Sequence, residues 1–158
     1  MSEAKRRTLI NGLEHGLICE IVSPSIDRTV NGTLAGIDTD LTYECLTFVH
    51  NTDGIFTVDS MVHFEDAKPH LFPIEYLNKP ITVAGYNDGK EFLPMEWIKD
   101  NCSKGDEAYL ELCINDPRWV QSLPKYMYDY LVEMKFNTEG LEPKDFINAA
   151  ESKVYEPK

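Results

Sequence analysis

The stretch FEDAKPHLFPIEYL, residues 64–77, decides how the chain is read. Upstream of it lie short β-rich runs separated by turn residues, and downstream lies the clearest helical pattern in the chain. Pro69 and Pro73 each remove a backbone donor and bias the preceding residue toward extended geometry. The segment KPHLFP is therefore expected to run in extended or polyproline geometry off the central sheet, with His70, Leu71 and Phe72 lying along the wall of a small β-module and sealing one open end. A packed connector is the preferred reading of these residues. The functional alternative is that Lys68, Pro69, His70, Leu71, Phe72 and Pro73 form an exposed proline/aromatic ligand for a groove-binding domain.

Working upstream, LICEIV (17–22) and ECLTFV (44–49) are β-rich runs, and IFTVDSMVHF (55–64) is rich in β-branched and aromatic residues. SPSIDR (23–28) is a turn former. Asp53-Gly54 marks a hairpin turn, and Asn31-Gly32 interrupts TVNGTLAGI (29–37) with either a bulge or a second short hairpin. DTDLTY (38–43) reads as a loop. Residues 2–14 read as a short helix with Ser2 as N-cap and Gly12 near its end. Four or five short strands in about fifty residues point to a small antiparallel barrel or curled sheet of SH3-like form, filled by its own side chains.

Downstream, PITVAGYNDGKEFLPMEWI (80–98) reads as a further hairpin turning at Asn87-Asp88-Gly89, although FLPMEWI could equally turn into a helix. KDNCSKGDE (99–107) is loop-like, and AYLELCI (108–114) is ambiguous between strand and helix. SLPKYMYDYLVEMKF (122–136) is a helix with Ser122 as N-cap. Its stripe of Met127, Tyr130, Leu131 and Met134 faces a core, and Asn137 and Gly140 can end it. Residues 143–155 read as a second short helix with Phe146, Ile147 and Ala150 inward. The fold class expected is thus α+β: a β-module over 13–77, an insertion-like hairpin region over 80–120 and a helical part over 122–155, all in one domain of 158 residues.

Charge excludes more than it suggests. The formal net charge is −12. Residues 1–80 carry 6 Lys/Arg against 12 Asp/Glu and residues 81–158 carry 9 against 15, so the acidity is no tail. Phosphate-backbone binding needs net positive charge along a face, and direct nucleic-acid binding is not expected. Anionic membrane surfaces are disfavoured for the same reason, and no apolar run approaches the roughly 20 residues of a membrane span. The short runs Asp38/Asp40, Glu65/Asp66, Asp106/Glu107/Glu111 and Asp129/Glu133 raise the alternative of an acidic nucleic-acid mimic that inhibits a host or defence protein. Lysines and an arginine interrupt that pattern in the C-terminal half.

The four cysteines, Cys19, Cys45, Cys102 and Cys113, include no C-x-x-C pair. Free thiols without a signal-peptide pattern point to the cytoplasm. His15, His50, His63 and His70 show no ligand spacing, so no metal is expected. His63 and Glu65, two residues apart in a strand reading, share a face, a pattern more often a surface hydrogen bond than a catalytic dyad. No nucleophile elbow, P-loop or dinucleotide-binding glycine pattern occurs. No catalytic residue, cofactor or enzymatic activity is expected.

HGLICEIV, GTLAGI and FEDAKPHLFPIEYL together resemble a group of short, uncharacterised proteins of phages and prophages of gut bacteria. That group shows a YGL strand start, an L-x-G strand and an IKPYLRP segment after a small β-module. His15-Gly16-Leu17, Leu34-Ala35-Gly36 and Lys68-Pro69-His70-Leu71-Phe72-Pro73 occupy those places, with His70 and Phe72 where the group has tyrosine and arginine. Lys135-Phe136-Asn137-Thr138-Glu139-Gly140-Leu141 stands where the group has an HFDYRGLI segment after a helix. The resemblance covers 13–77 and 122–155, while 80–120 departs from it. It implies a phage-type accessory protein with no established activity and carries over no catalytic residue; the function expected is non-enzymatic binding of another protein, in the cytoplasm of the host cell.

Overall fold

The computed structural model describes residues 3–38 and 44–158; the N-cap expected at Ser2 and all but the first residue of the loop expected over 38–43 lie outside these, and that first residue, Asp38, ends a strand. The chain is mixed α+β. It divides into two compact units, Met1–His70 with Glu142–Ile147, and Leu71–Leu141 with Asn148–Lys158. The first boundary between the units falls inside the stretch 64–77.

The first unit opens with helix α1 (Glu3–Gly12) and continues through strands β1 (Ile18–Ser23), β2 (Arg28–Asp38), β3 (Cys45–Thr52), β4 (Ile55–His63) and β5 (Lys68–Leu71, whose last residue belongs to the second unit). With β6 (Ile147–Asn148) they form an open sheet in the order β4-β3-β2-β1-β5-β6; KPHLFP, expected off the central sheet, instead enters it as β5, with Lys68 and Pro69 opposite Glu20 and Cys19 of β1. Successive strands from β1 to β4 pair antiparallel, and the β1–β2 and β3–β4 connections are short turns. The β3–β4 turn is the expected Asp53-Gly54, both at positive φ (55° and 79°), as a two-residue hairpin of the primed type requires.

Asn31-Gly32, in contrast, does not turn. It runs within β2 opposite Glu20 and Cys19. A Cβ on Gly32 would stand 3.1 Å from the Phe48 side chain, so this glycine serves close packing. The irregularity in β2 lies three residues on, between Leu34 and Gly36. The inward face collects Cys19, Ile21, Leu34, Leu46, Phe48 and Val62, and Leu9 and Leu17 join them in the core; all are at most 2 % exposed. Each such side chain contributes about 1.5–3 kcal/mol by leaving water. The sheet curls strongly enough that Ser23, at the end of β1, hydrogen-bonds Asp59 of β4, although β2 and β3 lie between them in sheet order.

The second unit is built around Phe72. Its N–H donates to the Lys135 carbonyl at 2.8 Å and its own carbonyl accepts from Asn137 N–H at 2.9 Å. The ring packs 5.6 Å from Phe136 and 6.3 Å from Tyr155. The hairpin expected over 80–98 reduces to a single bridge, Ile81 with Phe92. Pro94 lacks the N–H a second strand would need, and it begins α2 (Pro94–Asn101) instead, where that N–H is not required. AYLELCI resolves as helix α3 (Glu107–Asn115), burying Leu110 and Cys113 three residues apart.

The helix expected over 122–136 is α4 (Lys125–Glu133). Pro124, in extended geometry, takes the cap position in place of Ser122. Met127, Leu131 and Met134 are fully buried as the stripe requires, and Tyr130 is half-buried. The helix stops earlier than Asn137 because Lys135 adopts a left-handed φ of 70°. The second helix expected over 143–155 shrinks to α5 (Ala149–Ser152), capped by Asn148, whose side chain accepts from Ala150 N–H at 2.9 Å. Phe146 is buried, while Ile147 and Ala150 are half-buried.

Candidate functional site

The segment singled out in the sequence is interior. Pro69, His70, Leu71 and Phe72 are buried, and Lys68 and Pro73 half-buried. His70 lies 2.8 Å from Asn31 Oδ1 through Nε2, and burial draws its pKa down to about 4, so the ring is neutral at pH 7. These exposures belong to a packed connector and leave no run of residues for a groove to grasp.

The His63/Glu65 pattern does not form the shared strand face that its spacing suggested. β4 ends at His63, and Phe64–Asp66 coil into a 3-10 turn. Both side chains are exposed.

Sequence reasoning passed over a more substantial cluster centred on Asp59, whose side chain is almost wholly buried. Its carboxylate accepts from Ser23 Oγ at 2.5 Å, from Ser25 N–H at 3.1 Å, from Ser25 Oγ and from His50 Nε2 at 2.8 Å. On the other side of the imidazole, Nδ1 meets Thr52 Oγ1 at 2.8 Å. Burial pushes the Asp59 pKa up, but the donors from Ser23, Ser25 and His50 outweigh it and hold it at about 2. The carboxylate is therefore ionised at neutral pH, and Nε2 carries the proton donated to it. The residue types are those of a hydrolase triad, yet the connectivity is different. Ser23 and His50 both donate to the same carboxylate, so the imidazole has no free nitrogen aimed at a serine hydroxyl it could deprotonate. What the cluster does is tie three pieces of chain together: the end of β1 and its turn, β3 and β4. Residues 23, 25, 50 and 59 are brought together by strand register, a signal absent from local spacing.

Fixing Asp59 inward also fixes what β4 turns outward. Phe56 and Val58 share the opposite face by strand alternation, and Phe56 is 68 % exposed, Val58 51 %. Ile55 and Met61 are 67 % and 66 % exposed. Val58 ends a cross-strand row, Ile18, Thr33, Val49, Val58, set by the pairing of four strands. β4 stands at one edge of the sheet, and among the described residues no strand pairs with its outer side. Natural edges are commonly protected by lysine, proline or an inward charge. IFTVDSMVH contains neither lysine nor proline, and its one carboxylate is occupied within the fold. A bulge between the pairs Leu46–Val62 and Phe48–Asp59 ends the regular stretch. Ile55–Asp59 is thus a five-residue edge, apolar on its open face.

Other features offer less. In the second unit a small cleft of about 90 Å³ lies between Phe72, Ile81, Glu91 and Glu156, well below the several hundred Å³ of an ordinary ligand pocket. Among the described residues no three His, Cys, Asp or Glu side chains converge in a way that could hold a metal ion, and no helix is long and apolar enough to cross a membrane. No protein-family model, no curated protein and no solved structure matches the chain.

Proposed function

We propose that this chain is a non-catalytic accessory protein that acts by binding another protein, and that the edge of β4 is where it binds. The observation that carries the reading is the exposed apolar run Ile55, Phe56 and Val58 on a strand with an unpaired side and neither lysine nor proline. An extended segment of a partner can add to such an edge through backbone hydrogen bonds, with alternate side chains giving selectivity. The order β4-β3-β2-β1-β5, with β5 returning to pair with β1, together with the Ser23–Asp59 bond, supports an SH3-like curl for the first unit. The resemblance to phage and prophage proteins supports a phage-type role, and four free cysteines fit work in a reducing cytoplasm.

The acidic-mimic alternative draws less support. Its proposed rows of carboxylates are interspersed with cations: Glu111 pairs with Lys99, and Asp129 with Lys125. Asp53, Glu44 and Asp116 likewise pair with Arg28, Arg6 and Arg118.

The test is affinity capture from the native host with the wild-type chain and with Val58→Lys, whose side chain faces solvent. The reading expects at least one captured protein to be lost with the variant. Identical captured sets would overturn it.

A further inference from the structure

The edge of β4 is compatible with itself, and this narrows what it binds. The two-residue hairpin makes Thr52 and Ile55 a hydrogen-bonded pair, so by alternation Thr57 also directs its N–H and C=O toward β3. Phe56 and Val58 then direct theirs outward. Two copies of β4 placed antiparallel about a twofold axis through Thr57 bring Phe56 opposite Val58 of the second copy, and Val58 opposite its Phe56. Both are residues whose backbone groups are free to bond across the axis. The same two side chains share the exposed face, so each contact is an aromatic–β-branched pair, a favourable cross-strand combination.

Charge permits the arrangement. Ile55–Val58 carries no ionisable group, and Asp59 is turned inward onto Ser23 and His50 of its own chain. No like charges stand opposite one another along the paired stretch. The net charge of −12 repels the second copy only at longer range, where salt screens it over about 8 Å at physiological ionic strength.

We infer that β4 pairs with β4 of a second copy of this chain to form a twofold dimer. The inference rests on β4 being a docking edge and names its occupant. A pairing this short lies near the small end of specific interfaces, which bury about 1,000 Å² or more, so the dimer is reversible and depends on concentration. Its salt response is diagnostic. Self-pairing of an acidic chain strengthens as salt rises, whereas capture of a cationic partner weakens.

Sedimentation equilibrium of the full chain, from about 1 µM to about 500 µM at low and high salt, tests this directly. The expected result is an average mass that climbs from monomer toward dimer with concentration, further at high salt. Val58→Lys, and separately Val58→Pro, which deletes the outward N–H while leaving the ladder to β3 intact, are expected to stay monomeric with an unchanged far-UV spectrum. A wild-type chain that remains monomeric throughout overturns self-pairing, as does a dimer that both variants leave intact. If the wild type is monomeric but a host protein is captured in a Val58-dependent way, self-pairing is refuted while the docking edge stands. If nothing captured depends on Val58 either, both fall.

Discussion

Replacing Asp59 by alanine is the sharpest probe of how the first unit holds together. The substitution removes one carboxylate and strands the donors that converge on it, including the buried Ser23 hydroxyl and the buried His50 imidazole. Breaking a buried, hydrogen-bonded ionic cluster from one side costs about 3–5 kcal/mol. Part of that is legible as pH dependence. The carboxyl titrates at about 2 in the fold against an ordinary 3.8, and each unit of difference is worth about 1.36 kcal/mol. The linkage is thus about 2 kcal/mol. Because the folded value is depressed, that stability is present above the unfolded pKa and is lost as pH falls from about 4 through about 2. The variant lacks this dependence, so its deficit is largest at pH 7 and shrinks by about 2 kcal/mol in strong acid. The probe must be chosen with care. Trp97 and Trp119 both lie in the second unit, so tryptophan fluorescence follows the wrong half. Hydrogen exchange of β3 amides in denaturant series at pH 7 and pH 3 reads the first unit itself. A deficit below about 1 kcal/mol at pH 7, or equal deficits at both pH values, would refute the account of Asp59 as the tie between β1, β3 and β4.

Other outcomes follow from single residues. The His70 pKa, drawn down to about 4 by burial, means stability that is full above the unfolded value near 6.5 and falls as pH drops toward 4. The loss amounts to about 3 kcal/mol, and His70→Gln should flatten that stretch of an acid-unfolding curve followed by β-strand amide exchange. Phe72→Ala empties the centre of the second unit and should cost about 3–5 kcal/mol, read by the tryptophans as a lower denaturation midpoint. Gly12→Ala places a Cβ 2.7 Å from the buried Leu17 side chain and should cost about 1–3 kcal/mol by overpacking, measured as a fall in midpoint with unchanged helical signal.

How far the sequence could be read depends on whether the deciding contacts are local. The strands β1 to β4 were legible because alternation and turn residues lie within a few positions of each other, and Asp53-Gly54 states its turn outright; β5 was not, because its prolines argue for a place off the sheet whereas the segment pairs with β1, some fifty residues away. Asn31-Gly32 misled for the same reason. The pair is a good local turn signal, but Gly32 answers to Phe48, sixteen residues away. Pro94 carried two messages, strand edge and helix start, and the bridge between Ile81 and Phe92 is too brief to favour the first. The stripe on α4 was clear from spacing, whereas its early end depends on Lys135 adopting a left-handed turn, for which a lysine gives no hint. Of the candidate site, the proline segment was visible but is buried. The Asp59 cluster was invisible because four residues spread over thirty-seven positions meet only once the register is set. The apolar β4 face was present in IFTVDSMVH, yet alternation alone cannot say that the strand lies at an edge.

The interleaving of the two units has a consequence for how the protein is made. Glu142–Ile147 belongs with the first seventy residues, yet all of Leu71–Leu141 is synthesised before it. At about 5–20 residues per second, β5 waits several seconds of synthesis before β6 arrives to cover its far side. During that interval the nascent sheet ends on β5, whose far side is open, instead of on the two-residue β6. Ribosome-associated chaperones would find it most tempting in that window, and a message truncated before codon 142 would yield a product that never leaves it.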